Sequence, residues 1–132
     1  MTELEDLIVD ESALDREALA TALHGLVGIT AEGSIRQMGR WPALSERQKV
    51  VATLLGAKAA HALKRRDSDR LGPSELAAMS GVALGTVKPV LREKLASRTC
   101  AQSAEGSYYI PAWSLTKAIE ELRPKMKKGR EK

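Results

Sequence analysis

The chain contains no phenylalanine, and only two tryptophans and two tyrosines stand among its 132 residues. The core must therefore be built from Leu, Val, Ile, Ala and Met. Ala and Leu favour helix over strand, so a mainly α fold with a small β component is expected. Cys100 is the only cysteine, which excludes an intrachain disulfide and a cysteine-built metal site. His24 and His61 lack the i, i+4 partner of a helical zinc site. No apolar run approaches the roughly 18 residues of a membrane span. The start, Met1-Thr2-Glu3-Leu4-Glu5-Asp6, is acidic where a secretion signal is basic. A cytoplasmic protein that leaves the membrane alone is expected. Neither a glycine-rich phosphate loop nor a nucleophile–base motif is present, so no enzymatic activity, cofactor or metal is expected.

Charge is distributed unevenly. Residues 1–34 carry eight carboxylates against Arg16 alone, a net of −7, whereas residues 35–132 carry 20 bases and nine acids, a net of +11. An acidic head on a basic body points to an anionic partner for the body. It also leaves the acidic N-terminal segment as a possible contact for a protein partner, or as a shield for the basic face.

Three segments follow. In residues 1–44, Ser12 can cap a helix running to about Gly25, with Leu14, Ala18, Leu19, Ala22 and Leu23 at helical spacing. Leu7-Ile8-Val9 ahead of it reads as a short strand or a packed arm. Two β-prone runs, 26–30 and 34–38, flank Ala31-Glu32-Gly33 and predict a hairpin. Ala-Glu-Gly-Ser recurs at 104–107, which is read as shared turn chemistry rather than duplication. Residues 45–122 open on Ser45-Glu46-Arg47-Gln48, a capping box, and the helix it starts is expected to reach about Arg65. Residues 123–132 form a basic tail suited to polyanions.

The informative stretch is 71–95. Pro73 suits a first helical turn and Glu75 complements the helix dipole there. Leu76 faces inward, and Ala77 is small where two helices would cross. Gly81 falls where a tight turn needs a left-handed residue. Val82 plugs that turn, and Val87, Leu91 and Leu95 repeat every four residues. Two β-prone runs around Ala104-Glu105-Gly106 come next, then a helix from Trp113 or Ser114 to Leu122. These residues resemble the winged helix-turn-helix domain of transcription regulators. The resemblance spans residues 45–122 and implies the order helix, helix, helix, hairpin, helix, with the N-terminal helix and hairpin as an extension.

Pro89 decides where the second helix of the motif begins. A start at Leu84 would put Pro89 beyond the first turn, at a cost of about 3 kcal/mol. With Thr86 as cap, Pro89 becomes the third helical residue, so Val87–Ser97 is the expected recognition helix. The resemblance implies double-stranded DNA as partner, and Ser74, Thr86, Lys88, Arg92, Lys94 and Arg98 as the nucleic-acid contacts. Lysine and arginine would neutralise phosphates, Arg92 could pair with guanine, and Thr86 could touch a thymine methyl. Asn and Gln, the usual adenine readers, are missing from this surface, and Glu105 at the wing tip would repel phosphate. A homodimer joined through helix 12–25 or helix 114–122 is expected. The competing reading is a winged helix used as a protein–protein adaptor or scaffold. Trp41 and Trp113 are expected to anchor the N-terminal segment on the rest, and Cys100 to be a small buried apolar residue.

Overall fold

A computed structural model describes residues 11–122 of the chain, with side chains from Arg16 onward. Ser12, expected as a cap, lies instead within the first helix, which already includes Glu11; the 7–9 arm, the acidic head before residue 11 and the basic tail lie outside the described residues. Within them the fold is α+β. The order is α1 (Glu11–Leu23), β1 (Val27–Ile29), β2 (Ile35–Gln37), α2 (Glu46–Ala62), α3 (Pro73–Ser80), α4 (Leu84–Ala96), β3 (Ala101–Gln102), β4 (Tyr108–Tyr109) and α5 (Leu115–Glu120). Each strand pair is antiparallel, with Gly28 opposite Arg36 in the first and Gln102 opposite Tyr108 in the second. Among the described residues no helix is long and apolar enough to cross a membrane.

The central element is α2. Ser45 starts it as expected: its Oγ accepts from the Gln48 N–H at 3.2 Å, and Gln48 Oε1 accepts from the Ser45 N–H at 2.9 Å. Val50, Val51, Leu54 and Leu55 are fully buried, and every other helix packs against this one. The first hairpin approaches it closely at Gly56. A Cβ there would stand 3.3 Å from both Ile35 Cγ2 and Val27 Cγ1. Glycine costs about 1 kcal/mol inside a helix, and here it lets the hairpin's apolar face reach the core. One hydrophobic cluster results, running from Leu19 and Leu23 through Trp41 and α2 to Ile110, Leu115 and Leu122.

Both long internal helices stop without glycine. At the end of α2, Lys64 takes φ +61°, so that the Lys64 N–H reaches the His61 carbonyl and the Arg65 N–H that of Ala60. At the end of α4, Arg98 takes φ +64°; its N–H meets the Leu95 carbonyl, and the Thr99 N–H that of Lys94. These are Schellman closures with a cation in the left-handed position, strained by about 1–2 kcal/mol each. They end α2 three residues before the expected Arg65.

The start of α4 also differs from expectation. Ala83, not Thr86, is the N-cap, and Pro89 lies inside the helix. Val82 is 3% exposed, and with Gly81 at φ +78° it completes the turn at once, so the chain re-enters helix at Leu84. The carbonyl that Pro89 deprives of a donor belongs to Gly85. Gly85 is exposed, so water can satisfy that oxygen and the proline is tolerated.

Candidate nucleic-acid interface

Helices α3 and α4 meet at the turn Gly81–Ala83. Leu76 and Val87 are fully buried beneath it and Leu91 nearly so, so the inward stripe lies where the spacing puts it. The N-terminal segment holds this turn from the side. Trp41 Nε1–H donates to the Ser80 carbonyl at 3.1 Å in a buried contact, and Gln37 Nε2 donates to the Met79 carbonyl at 2.9 Å. Ser80 Oγ accepts the Val82 N–H at 3.1 Å. The last carbonyls of α3 thus receive donors from β2 and the 3-10 turn Trp41–Ala43.

Of the six expected contact residues, the structure brings two, Lys88 and Arg92, onto one outward face of α4. Lys88 and Arg92 are exposed one turn apart on α4, and neither makes an ion pair among the described residues. Thr86, half-buried, borders a cleft of about 500 Å³ shared with Ser45, Arg47, Pro89 and Glu93. Ser74 is exposed in the first turn of α3. There Glu75 Oε1 accepts the Gly72 N–H at 3.1 Å. Arg98 is exposed just past α4.

Lys94 is the correction. It was expected at the outward flank, yet it is 7% exposed, with Nζ 2.5 Å from Glu121 Oε1. The same carboxylate accepts from Thr99 Oγ1 at 3.0 Å, and Thr99 Oγ1 shares a 2.9 Å hydrogen bond with Ser97 Oγ. Lys117 Nζ donates to the Ser97 carbonyl. A buried cation requires a paired anion and further hydrogen bonds. Here that requirement ties the end of α4 to Glu121 at the end of α5, and Lys94 is buried away from the outward face.

Two cations outside the expected set also lie here. Arg47 Nε sits 2.7 Å from Glu93 Oε1 across the α2–α4 cleft. That hydrogen bond and the charge of Arg47, opposed by burial and aided by Lys94, hold the Glu93 carboxyl below its ordinary range. Arg70 lies 5.1 Å over the Tyr109 ring and 3.9 Å from Glu105 Oε1. It therefore partly offsets the carboxylate at the hairpin tip. No local motif announces either residue, since each meets its partner only through the fold. The hairpin itself is moored by a bridge from Leu71 to Tyr108, whose N–H groups and carbonyls pair at 2.9 and 2.7 Å.

Trp41 is 3% exposed and packs as expected, whereas Trp113 is 69% exposed and anchors nothing in the core. Cys100 is 2% exposed, and burial pushes its thiol up to about 11, which suits an unreactive apolar residue. Among the described residues no cluster of His, Cys, Asp and Glu is arranged to hold a metal ion. Comparison with protein-family models, with curated proteins and with solved structures returns no match.

Proposed function

We propose that residues 45–122 act as a winged helix-turn-helix that binds double-stranded DNA, as a small transcriptional regulator. In this reading α4 enters the major groove and the β3–β4 hairpin lies beside it. The observation that carries it is the Lys88–Arg92 pair, exposed one turn apart on α4. A helix following a left-handed turn, with its buried stripe opposite two unpaired cations, is suited to a polyanionic groove. Arg98 and Ser74 extend the cationic and polar surface. Arg47 and Arg70 become further phosphate ligands if phosphate displaces Glu93 and Glu105 from them. Contacts to the backbone dominate over base readout, because the face offers few side chains that discriminate bases.

The test is fluorescence anisotropy of a labelled duplex against the full chain over a series of salt concentrations. Binding should weaken steeply with salt. Lys88→Ala with Arg92→Ala should lower affinity ten- to a hundredfold and flatten the slope by about two phosphate contacts. Undiminished binding by the double variant sinks the assignment of α4. A homodimer is part of the proposal, with α1 or α5 at its interface, and sedimentation equilibrium reads it directly.

A protein-adaptor reading is favoured by one different observation. Carboxylates already occupy two of the candidate phosphate ligands, Glu93 on Arg47 and Glu105 on Arg70, and Trp113 is exposed just ahead of α5. It takes over if no duplex binds at low salt.

A further inference from the structure

A groove of about 450 Å³ runs between α1, β1 and the end of α2. Its walls are apolar: Leu19 and Leu23 from α1, Val27 and Ile29 from β1, Ala59 and Ala62 from α2. This volume falls within the range of small-molecule sites, which are concave, mainly apolar and marked by a few polar groups. Among the described residues no carboxylate lines it, and its polar lining residues are Arg16 and His24.

The chemistry around those two residues selects a ligand. The last four carbonyls of α2 already have donors. Ala59 O accepts from the Leu63 N–H, Ala60 O from the Arg65 N–H and His61 O from the Lys64 N–H. Ala62 O accepts from Arg16 Nη1 at 3.3 Å. The carbonyl of His24, also at the groove, accepts from Arg40 Nη1 at 2.8 Å. The groove therefore offers a head group donors rather than open acceptors. Arg16 spends one N–H of its five on Ala62, and the exposed Lys64 and Arg65 follow directly on Leu63. We infer that this groove binds a small amphipathic organic anion. Its hydrocarbon lies against Leu23, Val27, Ile29 and Ala59, and its carboxylate lies at the Arg16 guanidinium. The site is independent of the DNA-binding reading, and its test contains no DNA.

The experiment titrates the ¹⁵N-labelled full chain with sodium octanoate below its micellar concentration. Hexanoate, 1-octanol and octylammonium serve as comparators. Amide shifts should concentrate in residues 16–29 and 59–63. Affinity should rise roughly fourfold per added methylene, about fifteenfold from hexanoate to octanoate. Octanol should bind about tenfold more weakly than octanoate, and octylammonium more weakly still. Arg16→Gln should erase the preference of octanoate over octanol while leaving octanol unchanged, an outcome that loss of a helix-end contact alone would not produce. Ala62→Phe should fill the groove and abolish binding. Ala20→Phe, at an exposed lining position, repeats that test without touching the core, and thermal melts verify that each variant is folded. The inference is overturned by equal binding of the anion, alcohol and ammonium, or by undiminished binding to folded Ala62→Phe and Ala20→Phe. Shifts spread over Met38, Leu84 and Trp113 overturn it as well. So does an absence of shifts, whether a second copy or the chain's own first ten residues then fill the groove.

Discussion

Thr30-Ala-Glu-Gly-Ser34 and Ser103-Ala-Glu-Gly-Ser107 fold into the same five-residue turn in two very different settings. In the first, the Thr30 N–H donates to the Ser34 carbonyl at 2.9 Å, the Gly33 N–H to the Thr30 carbonyl at 2.9 Å, and the Ser34 N–H to Thr30 Oγ1 at 3.0 Å. In the second, Ser103, Gly106 and Ser107 repeat all three bonds at 2.7, 3.0 and 3.1 Å. The glycines match too, at φ +89° and +91°. Yet Gly33 is wedged beneath the end of α2, where a Cβ would stand 2.1 Å from the Arg65 carbonyl oxygen. At Gly106 the nearest atom is Gln102 Nε2 at 4.0 Å. One hairpin is a structural brace that reaches, through Gln37, the end of α3. The other projects Glu105 into solvent beside Arg70. A shared local sequence sets the turn, and the neighbours set its role.

Substitutions can sharpen this contrast. Gly33→Ala should have the largest effect. It adds the left-handed penalty of about 1–2 kcal/mol to an overpacking cost of similar size, so stability should fall by about 3 kcal/mol. A calorimetric melt should show a drop on the order of 10 °C. If Gly33→Ala melts like the parent, the hairpin is no brace. Trp41→Phe comes next, at about 1–2 kcal/mol, because the buried Ser80 carbonyl loses its donor. Urea denaturation measures it, and the α3–α4 turn should show faster amide exchange. Gly106→Ala should cost only about 1 kcal/mol, the conformational penalty with no clash. A cost equal to that of Gly33→Ala would erase the distinction between the hairpins. Glu105→Ala should change stability least, within about 0.5 kcal/mol, since its pair with Arg70 is long and exposed. Its effect should appear instead as tighter duplex binding at low salt, because Arg70 is then released to phosphate.

Much of the helical framework was legible, and the reason is locality. The Ser45–Gln48 box, Gly81 in the left-handed region and the stripe of Leu76, Val82, Val87 and Leu91 depend on residues within one or two turns of each other. The candidate interface was legible only in part. Lys88 and Arg92 face outward as their spacing requires. Lys94 turns inward because α5 brings Glu121 to it, and no window around residue 94 contains that carboxylate. Arg47 reaches Glu93 over 46 positions. The end of α2 is harder to place because Lys64 occupies a position where glycine is the usual signal, whereas α4 stops within one residue of the expected Ser97. The start of α4 is not legible locally, because Pro89 is tolerated inside the helix only where the Gly85 carbonyl is open to water.

By itself, then, the sequence determined the turns, the caps and the apolar stripes, since each rests on hydrogen bonds and φ angles within a few residues. The tertiary structure alone decided which cations stay in solvent and which Ala-Glu-Gly-Ser turn carries load. It also decided which tryptophan is buried. Those outcomes depend on desolvation and packing by segments remote in the chain, and a side chain's own neighbours in sequence carry no record of them.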